Sequence, residues 1–151
     1  NERIKAHAVD RVREALGDEL HGKVVAVLGL SFKPETDDMR DSTALPLVTA
    51  LTAAGATVRA FDPVAMDNAR RLLPAGICYC ADSYDAAAGA DALVIVTEWN
   101  QFRSLDLEKI RGLLARPAVV DLRNVYQPEK MREYGFEYEA MGRAAADLPL
   151  G

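Results

Sequence analysis

Val24-Val25-Ala26-Val27-Leu28-Gly29-Leu30-Ser31-Phe32-Lys33-Pro34-Glu35-Thr36-Asp37-Asp38-Met39-Arg40-Asp41-Ser42 decides how this chain folds. Its opening residues are apolar and largely β-branched, the pattern of a strand buried on both faces. Gly29 closes that strand, and a charged loop follows with Lys33 and Arg40. Asp41 or Ser42 then offers an N-cap for a helix expected over 43–54. Strand, loop and helix in this order is how α/β proteins hold an anion, with helix N–H groups and loop cations facing one crevice. A dinucleotide fingerprint would place glycines two and five residues after Gly29, where the chain has Ser31 and Pro34. The loop is therefore expected to take an anionic ligand without wrapping a dinucleotide pyrophosphate, which disfavours an independent NAD(P) oxidoreductase domain.

Outward from this stretch the chain alternates. Ile4, Ala8, Val12, Ala15 and Leu16 recur at a helical period, with Gly17 as the stop. Strands are expected over 57–61, 77–80, 92–97, 118–121 and 136–141, separated by helices over 65–73, 83–89, 106–115 and 128–134. Alternation of this kind implies right-handed crossovers and an α/β fold: a doubly wound, mostly parallel sheet, Rossmann-like, in three layers. The chain opens in mid-helix, as a piece cut from something longer would, although a simple N-terminal helix docked on its own domain reads the same way.

Length and composition narrow the function. At 151 residues the chain is expected to form one domain, burying roughly 70% of its unfolded surface. Half its residues are hydrophobic and the net charge is −5, so no basic stripe exists for nucleic acid or a membrane surface. No apolar run approaches the roughly 20 residues of a membrane span, and no secretory leader opens the sequence. A cytoplasmic protein is expected. Cys78 and Cys80 are too few for a tetrahedral zinc site and read as small buried hydrophobes in a reduced compartment. His7 and His21 read as surface residues.

In a doubly wound sheet, ligands bind beyond the carboxyl ends of the strands. Three strands deliver polar residues there: Phe32 and Lys33 with the loop to Arg40, then Thr97-Glu98-Trp99-Asn100, then Asp121-Leu122-Arg123-Asn124. Cations converging from two strand ends suit a diphosphate, and an arginine can fork to two oxygens. The alternatives are plain: Lys33 is solvated, or Arg123 pairs only with Asp121. Adjacent Asp37 and Asp38 point apart and are expected to act in helix-start electrostatics, or to orient Lys33 or Arg40 by a salt bridge. Asp62 sits where a Rossmann ribose-binding acid would, but Asp62-Pro63 is also a common turn, and the turn is the expected reading.

Gly29-Leu30-Ser31-Phe32-Lys33-Pro34-Glu35-Thr36-Asp37-Asp38-Met39-Arg40 closely resembles the G-L-x-F-K-x-x-T-D-D-x-R signature of the UDP-glucose/GDP-mannose dehydrogenase family. Thr97-Glu98-Trp99 matches the family's T-E-W. The resemblance runs from about residue 22 to Gly142-Arg143, nearly the whole chain, and its wording lies nearer the UDP-glucose branch. Thr43 and Leu122 depart from the proline and glycine common in relatives.

The resemblance implies a C-terminal UDP-binding domain: residues 1–21 the end of an interdomain connector helix, 22–143 a UDP-sugar-binding Rossmann-like domain, 144–151 a tail. It implies that Phe32, Lys33 and Arg123 contact UDP-glucose and that Arg40 reaches toward NAD. In the family, NAD and the catalytic cysteine belong mainly to an N-terminal domain whose motifs this sequence lacks. The whole enzyme oxidises UDP-glucose to UDP-glucuronate, with homodimerisation through the connector helix. Cys78 has no nucleophile context, and no catalytic residue is assigned. The chain alone is expected to catalyse nothing. The alternative is a stand-alone Rossmann-like regulatory or assembly module.

Overall fold

The computed structural model describes residues 2–140. The expected tail at 144–151, the end of the last strand at Met141 and the side chain of Ile4 lie outside what is described. Helix α1 (Glu2–Ala15) leads into strand β1 (Val24–Leu28), and strands and helices then alternate. They are α2 (Ala44–Ala53), β2 (Thr57–Phe61), α3 (Met66–Leu72), β3 (Cys78–Tyr79), α4 (Ser83–Ala87), β4 (Ala92–Ile95), α5 (Asn100–Arg103), α6 (Leu107–Leu113), β5 (Ala118–Asp121), α7 (Pro128–Glu133) and β6 (Glu137–Ala140). The sheet order is β3-β2-β1-β4-β5-β6, and every pairing is parallel. This is the doubly wound Rossmann order, with the direction of winding reversing between β1 and β4.

The period-two alternation of the strands divides the core into two layers. Val25, Val27, Val58, Ala60, Val94 and Val120 face one side and meet Val12 of α1, Leu16 just beyond it, and Leu47, Val48 and Leu51 of α2. Ala26, Leu28, Leu93, Ile95 and Val119 face the other, under Ala86 of α4, Phe102 of α5, Ile110 of α6 and Met131 of α7. Helix α1 therefore docks on this domain's own sheet, and Arg11 Nη1 donates to Glu139 Oε1 at 2.9 Å.

Several local expectations are corrected. The N-cap position of α2 is Thr43, without a side-chain bond. Ser42 instead turns inward, donating to the Leu30 carbonyl at 2.7 Å and accepting from the Ala44 N–H at 3.1 Å. Strand β4 stops at Ile95, short of the expected Thr97, because the Thr97 hydroxyl turns to donate to the Ser31 carbonyl at 2.7 Å. The one-turn helix α5 stands where no element was expected. Only Cys80 of the two thiols is buried; Cys78 is exposed, since β3 is the sheet's edge.

At the switch between β1 and β4 the two strand ends meet closely. Gly29 has φ +95°, and a Cβ there would lie 2.6 Å from the Thr97 backbone nitrogen and from Thr97 Cβ. Gly29→Ala adds both left-handed strain and a collision with backbone. It is expected to destabilise the fold by about 2–4 kcal/mol, read as a lower urea midpoint with an unchanged slope.

Candidate functional site

The site forms at the carboxyl ends of β1, β4 and β5, and a buried carboxylate shapes it. Asp62, at the end of β2, is fully buried. Its Oδ2 accepts from the N–H groups of Leu30 at 2.7 Å and Ser31 at 3.2 Å. Its Oδ1 accepts from those of Val64 at 2.9 Å and Ala65 at 2.8 Å. Four backbone donors leave it nothing to offer a ribose. The turn reading of Asp62 holds, and the carboxylate also ties the loop after β1 to the start of α3.

The expected helix-terminus anion site is absent from α2. The Ala44 N–H is taken by Ser42 Oγ, the Leu45 N–H points to the Ser42 carbonyl at 3.4 Å, and Pro46 has no N–H. With Ser31 and Thr97 closing the switch point and Gly29 packed on Thr97, the described residues form no main-chain cradle after β1 of the kind that wraps a dinucleotide pyrophosphate.

Side chains remain, and they differ in how far they are committed. The loop after β1 folds back on itself, with the Phe32 N–H donating to the Asp38 carbonyl at 2.7 Å and Met39 buried beneath it. Its tip carries Phe32, 47% exposed, and Lys33, also exposed. Among the described residues Lys33 forms no ion pair. Arg40 is held by Asp38, with Nε 3.0 Å from Oδ1 and Nη2 2.8 Å from Oδ2. Of the two alternatives for the acid pair, Asp38 takes the ion pair with Arg40. The Arg40 side chain is nonetheless 89% exposed. It borders an open hollow of about 670 Å³ between the loop and α3, where Asn68, Arg71 and Leu72 form the opposite wall.

Arg123 lies on the same edge of the sheet, beyond β5. The buried Asp121 does not hold its guanidinium; Oδ1 accepts the Arg123 backbone N–H at 3.1 Å instead. The other Asp121 oxygen accepts from the Tyr126 N–H at 3.0 Å and the Tyr138 hydroxyl at 2.6 Å. The guanidinium donates from Nη2 to Glu98 Oε2 at 2.7 Å. Sequence reasoning missed this partner. Its signal lay in the register: Ile95 faces Asp121 across the β4–β5 ladder, so residues shortly after each strand emerge side by side. Glu98 Oε1 is buried without a partner in the structure, which leaves an acceptor beside Arg123. Trp99 is 6% exposed and packed in the core layer with Phe102, so no stacking face is open on it.

The carboxyl ends of β1, β4 and β5 thus share one edge, with cations after β1 and β5, which stand two strands apart, roughly 10 Å. Comparison with known proteins gives the family. The model of the UDP-glucose/GDP-mannose dehydrogenase family, UDP binding domain, matches residues 26–128. The chain belongs to this family. It is 50% identical over 133 residues to the UDP-glucose 6-dehydrogenase of Rhizobium meliloti (strain 1021), covering 88% of this chain and 30% of that protein. It is 45% identical over 152 residues to the UDP-glucose 6-dehydrogenase of Pseudomonas aeruginosa, covering 97% of this chain and 33% of that one. The structure of a UDP-glucose dehydrogenase from Pyrobaculum islandicum superposes with TM-score 0.74 at 35% identity, over 92% of this chain and 29% of that chain. The chain therefore spans about a third of the length of the curated relatives it matches, and corresponds to their C-terminal part. No helix among the described residues is long and apolar enough to cross a membrane.

The Arg40 guanidinium holds the Asp38 carboxyl well below its ordinary value of 3.8, at about 2, with Lys33 adding a smaller pull in the same direction. A depressed carboxyl favours the fold above its unfolded value and loses that contribution as pH falls through about 2; at this exposed position water screens it heavily. Carbon-detected NMR titration is expected to place the Asp38 midpoint near 2, returning toward 3.8 in Arg40→Ala.

Proposed function

We propose that this chain is the UDP-sugar-holding part of an NAD-dependent UDP-glucose 6-dehydrogenase. The observation that carries the reading is the pairing of an uncommitted Lys33 with an oriented Arg123 on one sheet edge, where the helix terminus offers no N–H group. A diphosphate placed there meets Lys33 as a point charge. It meets Arg123 as a planar donor, oriented by its Nη2 bond to Glu98 and 40% exposed. Phe32, exposed beside Lys33, offers an apolar face to the base. By gripping the part of the substrate that does not react, such a domain fixes where the sugar end lies.

In this reading residues 22–143 are the binding domain, and 1–21 continue a connector to an N-terminal domain that binds NAD and supplies the catalytic cysteine. The whole enzyme works in the cytoplasm as a homodimer, oxidising UDP-glucose to UDP-glucuronate, and this chain alone is inactive. Arg40, largely exposed beside the hollow, is the residue placed to meet the cofactor of that companion domain. Support comes from the family membership and from the closed packing of Gly29, Ser31 and Thr97 after β1.

Isothermal titration with UDP, UDP-glucose and NAD⁺ tests the reading. UDP and UDP-glucose are expected to bind, and Lys33→Ala and Arg123→Ala each to weaken binding by roughly tenfold or more. Binding of NAD⁺ alone would instead make this a dinucleotide domain. Binding of none of the three, in this chain or in the longer protein, would favour the assembly-module alternative.

A further inference from the structure

The edge strand β3 carries a feature that nucleotide binding does not use. Cys78 and Cys80 stand on the same side of it with their sulfurs 4.0 Å apart. Cys78 is exposed, while Cys80 is 4% exposed. Arg59 pairs with Cys78 across the β2–β3 ladder, and its Nη1 donates to Cys78 Sγ at 3.7 Å. Its Nη2 is anchored on the Asp85 carbonyl at 2.8 Å and the Asp85 carboxylate at 3.2 Å. The Cys80 N–H donates to the Ala60 carbonyl at 2.8 Å, continuing the ladder past β3 and keeping both residues extended.

We propose that Cys78 and Cys80 are a reversible dithiol–disulfide site that reacts with hydroperoxides, Cys78 first. Residues i and i+2 of an extended strand have Cα atoms about 6.6 Å apart, near the upper end of the roughly 4.4–6.8 Å that disulfides span. Side-chain rotation brings the sulfurs the rest of the way. In the first step the Cys78 thiol gives up its proton and its sulfur attacks one peroxide oxygen. The O–O bond breaks, water leaves, and Cys78 is left as a sulfenic acid. In the second step Cys80 sulfur attacks Cys78 sulfur, the S–O bond breaks, and hydroxide departs with the Cys80 proton as a second water. Two thiols have lost two electrons and the peroxide has gained them. Burial pushes the Cys80 thiol up to about 12, so the exposed Cys78 is the thiol that meets the peroxide first. A bridge closed near the limit of strand geometry is readily reduced again by small thiols.

The two cysteines share one tryptic peptide, Leu72–Arg103, so the test works in the full-length protein that carries this chain. After hydrogen peroxide treatment that peptide is expected to lose two hydrogens and to resist alkylation at both positions, with dithiothreitol restoring both. Cys80→Ser is expected to leave a stable Cys78 sulfenic acid that dimedone captures, while Cys78→Ser leaves Cys80 unmodified under the same exposure. The proposal fails if both wild-type thiols still alkylate fully, or if Cys78 is found joined to a second chain. It fails equally if Cys80 in the Cys78→Ser protein reacts as fast as Cys78 does in the other.

Discussion

The Asp62 carboxylate is the constraint on which the ligand edge depends. Four backbone N–H groups, from the ends of two neighbouring strands, converge on its two oxygens with no water between. Leaving such donors buried and unpaired costs about 1–3 kcal/mol each, so the loop after β1 is bound to the β2–α3 connection. That fixes Leu30 and Ser31, and through them the Thr97 and Ser42 hydroxyls that both bond back to this segment. In a dinucleotide-binding domain the same place is held open by glycines and offers its amides to phosphate. Here it is filled, and the proposed ligand contacts fall to the side chains beyond it.

That transfer has a consequence for charge. Main-chain donors at a helix terminus are fixed, whereas lysine and arginine side chains must be oriented to recognise a ligand. The structure gives each arginine a carboxylate: Asp38 for Arg40 and Glu98 for Arg123. Both pairs are partly or wholly exposed, so their contribution to stability is small, and their effect is on direction. Lys33 is left uncommitted, the arrangement expected of a group whose charge a ligand is to neutralise.

Much of this was legible in the sequence. The run from Val24 reads as a strand buried on both faces, and β1 lies inside the sheet between β2 and β4. What stayed hidden was set by contacts distant in sequence. Ser42 accepts the Ala44 N–H at the start of α2, as a cap does, and its own proton bonds back to Leu30. The alternative that paired Arg123 with the nearby Asp121 gives way to Glu98, 25 residues away, because β4 and β5 are neighbours. Cys78 and Cys80 looked alike, and only the position of β3 at the sheet edge exposes the first of them.

The central claim is that anion recognition here rests on side chains at the ends of β1 and β5, not on a helix terminus or the Asp62 turn. Amide chemical-shift mapping during titration with UDP tests it most directly. The account predicts shifts concentrated at Phe32, Lys33, Glu98 and Arg123, with Ala44, Leu45, Val64 and Ala65 unmoved. Shifts concentrated at Ala44 and Leu45, with Arg123 silent, would contradict it.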